Sequence, residues 1–440
     1  MGQDGDDNSM PVTEVLISVS EARERILAHV TTLPAENAPL LDALNRVLAT
    51  DVYAPFNVPP MANSAMDGYA VRWDDIRSAG ATTPVSLPVV GQVAAGHPSA
   101  VPLLPGQAMR IMTGAPGPDG CDTVVQFEET DELERRARGA SSADLTEIGI
   151  LNAMSRGANV RDAGGDVASG ASIFSAGTLL RAAHIGVLAS IGLATVPVIR
   201  RPLVAIMATG DELKEPGELL GPGQIYNSNS YAIAAQVLAA GAEPLVLPIA
   251  RDTIADLTAK LEEGLRADLF ITSAGVSTGE YDLVKDVLGQ QGTMDFWRVR
   301  MRPGKPLAFG LLPRRDGTIV PHLGLPGNPV SSMVAFDQFA RPAIYKLAGR
   351  PAPTHPEVDA VLDEAIGRGD GRRAFARAVL SKQADGYHVR LTGPQGSNLL
   401  TSMAAANCLL VVPEAQDIQG IAAGARVTVQ VLEGFEDLLT

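Results

Sequence analysis

Aromatic side chains are scarce in this sequence, 4% of 440 residues, and cysteine is nearly absent, with two in the whole chain. So few aromatics beside 44 Gly and 31 Pro argue against a helical bundle and for several turn-rich β units. Cys121 and Cys408 stand far apart and in no CxxC or Cys/His spacing, so the sequence supports neither a disulfide scaffold nor a cysteine zinc site. A reducing, cytoplasmic setting fits that usage. Basic charge is also short: 35 Lys and Arg face 50 Asp and Glu, for a formal net charge of -15. That balance argues against nonspecific binding of nucleic acid or an anionic membrane. Any anion site must therefore be built locally. No apolar run approaches the length of a bilayer span, and the acidic MGQDGDDNSM at residues 1–10 is unlike a signal peptide and reads as a disordered tail.

Against this acidic background one stretch stands out, Ala267 to Pro306. Asp268 to Thr272 reads as a short buried strand, and it ends abruptly in the small, polar Ser273, Ala274, Gly275, Ser277, Thr278 and Gly279. A helix is expected over Tyr281 to Leu288, so loop N–H groups and a helix N-terminus would converge where a phosphate could sit. Glu280 and Asp282 at the helix start read equally as favourable N-terminal charges or as Mg²⁺ carriers. Downstream, Arg298, Arg300 and Arg302 alternate with Trp297, Val299 and Met301, and Lys305 follows a Pro-Gly turn. One continuous strand would place the three guanidinium groups on one face. A solvated strand face is the plain alternative, but four cations beside a candidate phosphate loop suit a multiply charged anion.

At this length about two to four domains are expected. Ser18 and Glu21 form a capping box for a surface helix over Ser18 to Val30, and a second short helix is expected over Leu40 to Leu48. Prolines 55, 59 and 60 then exclude regular structure before Asn63 to Tyr69, which reads either as a binding loop carrying Asp67 or as a tight turn into a strand. Short strands at Val89 to Val93, Ala108 to Met112 and Thr123 to Phe127 form a small β-domain, in which Thr113 ends a strand. Glu128 to Ala143 reads as an exposed charged excursion, and Asp166 sits in a polar, glycine-containing turn with Arg161 and Asp162. His184, in a helix over Leu179 to Ile191, reads as a packing or surface residue.

From Pro202, strands and helices alternate (Leu203 to Ala208, Tyr231 to Ala240, Pro244 to Pro248, Thr253 to Leu265), which implies a mostly parallel sheet covered on both sides. Ligands in such sheets bind beyond the strands' carboxyl ends. Glu212, Asp252 and the Ser273 loop all fall there. A long helix over Val330 to Leu347 places Ser331 and Ser332 in its first turn, and strands from Arg373 to Leu432 form a separate barrel or sandwich.

Together SAMDGYAV, RIMTGAPGPDGCDTVV, NVRDAGGDV, ATGDEL, SAGVSTGEYD, RPGKP and LPGNPVS resemble, in order, the MoeA and gephyrin E-domain family of molybdopterin molybdenumtransferases. The resemblance runs from about Ser18 to Leu432. It departs at Ala274, where many members have Gly, and at Arg302, where Lys is common. It implies a multidomain α/β plus β fold: a discontinuous N-terminal domain (11–53 and 145–200), an inserted β-domain (54–144), a Rossmann-like domain similar to the adenylyltransferases MogA and MoaB (201–349), and a C-terminal β-barrel (350–440). An elongated homodimer is implied, with sites between the α/β domain of one subunit and N-terminal parts of the other.

The implied reaction transfers molybdenum from molybdate into adenylylated molybdopterin, giving molybdenum cofactor and AMP with Mg²⁺. By the same resemblance Ser273, Gly275, Ser277 and Gly279 hold the nucleotide phosphate. Arg298, Arg302, Lys305, Ser331, Arg372 and Ser397 form the oxyanion set. Asp67, Thr113, Asp166, Glu212, Asp252 and Asp282 form the catalytic set, with Asp282 and Glu212 toward the metal. Partners consistent with such an enzyme are a molybdopterin adenylyltransferase and maturation proteins of molybdoenzymes. Alternatives are a tungstate-preferring paralogue, the adenylyltransferase one step earlier, and a non-catalytic scaffold.

Overall fold

The computed structural model describes residues 16–141, 145–273, 287–290, 292–414 and 420–439. It separates into two compact units, one of Met1–Asn37, Asn45–Val47 and Pro197–Thr440, the other of Ala38–Leu44 and Leu48–Val196. Among the described residues no helix is long and apolar enough to cross a membrane.

The first unit is built on a seven-stranded sheet in the order Leu16–Ile17, Thr293–Val299, Pro306–Pro313, Ile319–Leu325, Leu269–Ser273, Leu203–Ala208, Glu243–Val246. The last four strands run parallel, while Pro306–Pro313 is antiparallel to both its neighbours. Period-2 alternation divides the strands between two cores. Val204, Ile206, Leu269 and Ile271 face the helices Val19–Ala28, Ser228–Ala239 and Pro329–Leu347, whereas Ala205, Met207 and Phe270 face Ile254–Gly264. Each such large apolar side chain, once fully buried, contributes about 1.5–3 kcal/mol. Both faces are covered, as the strand–helix alternation implies.

The same unit carries a five-stranded barrel. Arg373–Gln383, Gly386–Leu391, Glu357–Leu362, Arg426–Val431 and Cys408–Val412 pair in succession, and Cys408–Val412 returns to Arg373–Gln383. Closure removes the sheet edges. Leu362, Leu380, Val389, Leu410 and Val429 fill the interior. Met301–Arg302 pairs in parallel with Arg373–Gln383, so the chain passes here from the large sheet to the barrel.

In the second unit a five-stranded sheet is ordered Thr123–Gln126, Gly68–Val71, Ala108–Ile111, Val85–Val93, Glu147–Ile150. Gly68 lies so close to its neighbour that a Cβ there would stand 2.0 Å from the Val125 carbonyl oxygen.

Several expectations are corrected. Only a 3₁₀ turn, Leu41–Ala43, forms where a helix was expected over Leu40 to Leu48, because Asn45 takes a left-handed φ of 62° that ends it. Arg298, Arg300 and Arg302 do not share one strand face: the strand stops at Val299 and a new one begins at Met301. Glu128 to Ala143 is not wholly an exposed excursion, since its helix Glu132–Ala137 buries Glu132 completely. The long helix is interrupted by a π segment, Phe336–Ala340, just before Pro342. Proline has no N–H for the preceding turn and crowds its carbonyl, and the wider π spacing accommodates it. Most of the helix expected over Tyr281 to Leu288 lies outside the described residues; residues 287–290 are helical.

Candidate active site

In the first unit the candidate residues gather at the N-terminus of Pro329–Ala335. Pro329 begins this helix, and Asn328 provides no side-chain cap. A neighbouring loop supplies the missing acceptor: the Val330 N–H donates to the Ser397 carbonyl at 3.1 Å. Ser331 and Ser332 are both buried in the first turn, and the Ser332 Oγ has no hydrogen-bond partner among the described residues. The Arg302–Lys305 turn is closed by the Val299 N–H donating to the Lys305 carbonyl at 2.7 Å. It lies against the same helix, since a Cβ on Gly304 would reach within 3.5 Å of the Ser331 carbonyl oxygen.

A third element is tied to this point by Asn229, whose amide donates to the Ser273 Oγ at 2.7 Å and to the Gly327 carbonyl at 2.8 Å. Ser273, the last residue of its strand, is thereby fixed beside the loop that enters the helix. Gly275, Ser277, Gly279 and Asp282 lie outside the described residues.

Two of the cations, Arg302 and Arg372, meet at Asp370. The Arg372 Nε donates to it at 3.0 Å, and the Arg302 Nη1 stands 3.8 Å away. The Arg372 hydrogen bond first, against a smaller opposing effect of burial, holds the Asp370 carboxyl below the usual carboxylate range. Arg302, Asp370, Arg372, Arg377 and Gln395 line a cavity of about 260 Å³ at the barrel mouth. Arg300 is directed elsewhere, to Glu414 at 2.6 Å, and Arg298 sits on the large sheet opposite Pro306. Such planar donors match the oxygens of a tetrahedral dianion.

Glu212 and Asp252 follow adjacent strand ends, which are joined by a parallel bridge between Thr209 and Ala250. The Glu212 carboxylate folds back over Gly210, whose φ is 141° and where any Cβ would fall 2.4 Å from the Glu212 Oε2. Among the described residues no group of three His, Cys, Asp or Glu could hold a metal. Mg²⁺ is held by one or two carboxylates together with substrate phosphates, so Glu212 could supply one of them, while Asp282, the other candidate, lies outside the described residues.

In the second unit Asp67 and Thr113 meet directly. The Asp67 Oδ1 accepts from the Thr113 N–H at 2.7 Å and from its hydroxyl at 2.8 Å. These two bonds, the N–H first, hold the Asp67 carboxyl below its ordinary range. Asp166 occupies a different turn, its N–H donating to the Val58 carbonyl at 3.0 Å. Behind Asp67, Tyr69 donates from its hydroxyl to the buried Glu132 at 2.7 Å, and Arg110 pairs with the same carboxylate at 3.2 Å.

Comparison with known proteins decides the family. Residues 17–192 match the MoeA N-terminal region (domain I and II), 205–346 a probable molybdopterin binding domain, and 359–432 the MoeA C-terminal region (domain IV). The chain belongs to the MoeA family. It is 39% identical over 419 residues to molybdopterin molybdenumtransferase 2 of Mycobacterium tuberculosis, covering 94% of this chain and 98% of the relative. To the molybdopterin molybdenumtransferase of Haemophilus influenzae it is 35% identical, covering 96% and 100%. A molybdopterin biosynthesis MoeA structure from a Pyrococcus species superposes with a TM-score of 0.78 at 29% identity, covering 96% of this chain and 100% of that one.

Within this MoeA-family chain, sequence reasoning missed Asn229, Asp370 and Glu132. A cluster of short polar residues in YNSNSY at a helix start, and an acid directly before GRR, were the available signals for the first two. Nothing local marked Glu132, because its partners Tyr69 and Arg110 lie 63 and 22 residues away.

Proposed function

We propose that this chain is a molybdopterin molybdenumtransferase, which inserts molybdenum from molybdate into adenylylated molybdopterin and releases molybdenum cofactor and AMP. One observation carries the reading beyond family membership. In a chain of net charge -15, Arg302 and Arg372 line one cavity, while the Arg302–Lys305 turn lies against the Ser331 helix start. Cations and a helix N-terminus at one spot favour a small dianion.

In this reading Arg302, Lys305, Arg372, Ser331 and Ser397 hold the tetrahedral oxyanion. Ser273, followed by Gly275, Ser277 and Gly279, borders the nucleotide phosphate, and Arg298 adds positive charge nearby. As two thiolates replace oxide, the leaving oxygens need protons and the remaining ones need donors. Asp67, Asp166, Glu212 and Asp252 form the carboxylate set. Asp67, held ionised by Thr113, is a poor base near neutral pH and acts as a fixed hydrogen-bond acceptor and negative charge. When bound, Mg²⁺ would screen the repulsion between phosphate and oxyanion, with Asp282 and Glu212 as its carriers.

The protein works in the cytoplasm as a homodimer, in which Asp67, Thr113 and Asp166 complete the partner subunit's site. A molybdopterin adenylyltransferase supplies the substrate, and molybdoenzyme maturation proteins accept the product. The test is AMP release from adenylylated molybdopterin under anaerobic conditions, with and without molybdate, tungstate and Mg²⁺. Molybdate-dependent release supports the proposal. Release with tungstate alone points to the tungstate-preferring reading, and ATP-dependent adenylylation of molybdopterin to the adenylyltransferase reading.

A further inference from the structure

Arg377 is 1% exposed, on the barrel strand Arg373–Gln383. A buried guanidinium ordinarily has a carboxylate beside it. Among the described residues this one has none: its Nε donates to the Ser402 Oγ at 2.9 Å, its Nη1 to the Gln395 carbonyl at 3.2 Å, and its Nη2 to the Gly396 and Pro394 carbonyls at 2.9 and 3.3 Å. The Gln395 side chain completes the clamp, accepting from the Arg377 N–H at 2.9 Å and donating to its carbonyl at 3.1 Å. Three successive carbonyls, Pro394 to Gly396, are thus held by one planar fork. The next residue is Ser397, whose carbonyl accepts from Val330 at the head of the Ser331 helix. Both Arg377 and Gln395 also line the cavity of Arg302 and Arg372.

We propose that Arg377 is the positioning residue of the oxyanion site: it holds the Pro394–Ser397 loop so that Ser397 stays docked on the helix N-terminus beside the Arg302 turn. This rests on the function proposed above for that site. The fixed fork explains why Arg rather than Lys stands here, since an ammonium lacks the planar spread that reaches three carbonyls.

The clamp and its catalytic consequence are tested separately in the full-length protein. Hydrogen exchange at the Val330 amide reads the clamp without any substrate. Arg377→Met should raise its exchange rate at least about 10-fold, and Ser402→Ala, a milder change that spares the fold if the Met variant does not, about 3-fold. Unchanged protection in both overturns the clamp.

The kinetic arm is a cycle of Arg377→Met, Ser397→Ala and the double variant, read as molybdate-dependent AMP release. Each single change should raise KM for molybdate about 10-fold with kcat within about 3-fold, and the double variant should be no worse than the worse single. Arg377→Lys should behave like Arg377→Met. Independent, multiplying penalties, or a lowered Tm with unchanged KM, would show Arg377 to be merely structural and overturn the proposal. A wild-type protein with no molybdate-dependent AMP release overturns the enzyme reading and the kinetic half of this one, while Val330 exchange still decides the clamp.

Discussion

Glu132→Ala should destabilise the second unit severely, although Glu132 lies in one of the most charged stretches of the sequence. Glu132 and Tyr69 are both 0% exposed, joined by a 2.7 Å hydrogen bond, and the Arg110 side chain beside them is 15% exposed. Removing one member of a buried charged set costs about 3–5 kcal/mol, because its partners are left desolvated. The hydrogen bond to the charged acceptor accounts for about 1.5–3 kcal/mol of that. A loss of about 4 kcal/mol is therefore expected for Ala and about 2 kcal/mol for Gln, which keeps an acceptor for Tyr69 but no charge for Arg110. At about 2–4 °C per kcal/mol in a domain of this size, the Ala variant should melt about 8–16 °C lower. The assay is urea and thermal unfolding in a Trp297→Phe background, so that Trp73 reports on the second unit alone. A cost under about 1 kcal/mol, the range of an exposed ion pair, would refute the reasoning.

Other consequences follow from the same geometry. Gly68→Ala drives a Cβ to 2.0 Å from the Val125 carbonyl oxygen, and should cost more than about 3 kcal/mol or abolish soluble expression. The Asp67 carboxyl, depressed by Thr113, contributes stability that is present above the unfolded value of about 3.9 and is lost as pH falls through the lower folded value. Thr113→Val removes the hydroxyl but keeps the N–H, so the carboxyl midpoint followed by carbon NMR should rise only part of the way; no rise, or a full return, would contradict the assignment. Cys408, its thiol pushed up to about 12 by burial in the barrel, should resist thiol reagents at pH 8 until the chain is unfolded. Asn229→Ala should unfasten Ser273 from Gly327, raising KM for adenylylated molybdopterin about 10-fold with little change in Tm.

Local chemistry was the most readable part of the fold. Ser18 does cap its helix, its Oγ accepting from the Glu21 N–H at 3.0 Å, and the short apolar strands between Leu203 and Ser273 form most of the parallel half of the sheet. The hairpin of Pro306–Pro313 and Ile319–Leu325 has no clear strand signal, because Gly310, Pro321 and Gly324 interrupt its apolar residues with types that ordinarily mark turns. The Arg298–Arg302 alternation was genuine as a pattern, but period alone cannot show that two different sheets share it. For the site, spacing suggested the Ser273 loop, the Arg turn and the Ser331 helix start. Arg372 and Ser397 came only through resemblance, since a contact such as that of Arg372 with the Met301 carbonyl, 71 residues away, leaves no local trace. Asn229 and Arg377, which hold these pieces together, bind backbone carbonyls; the polar cluster YNSNSY marks a helix start at Asn229 but not the carbonyl it reaches, and nothing local marks Arg377.

The central claim is tested most directly by stoichiometry. Purified protein is mixed anaerobically with adenylylated molybdopterin and molybdate, and AMP released and molybdenum retained on the pterin are measured in the same sample, alongside Arg372→Ala. The account predicts about one molybdenum per AMP, no AMP without an oxyanion, and a KM for molybdate raised at least about 10-fold in the variant. AMP release that ignores molybdate, or a variant indistinguishable from wild type, would contradict it.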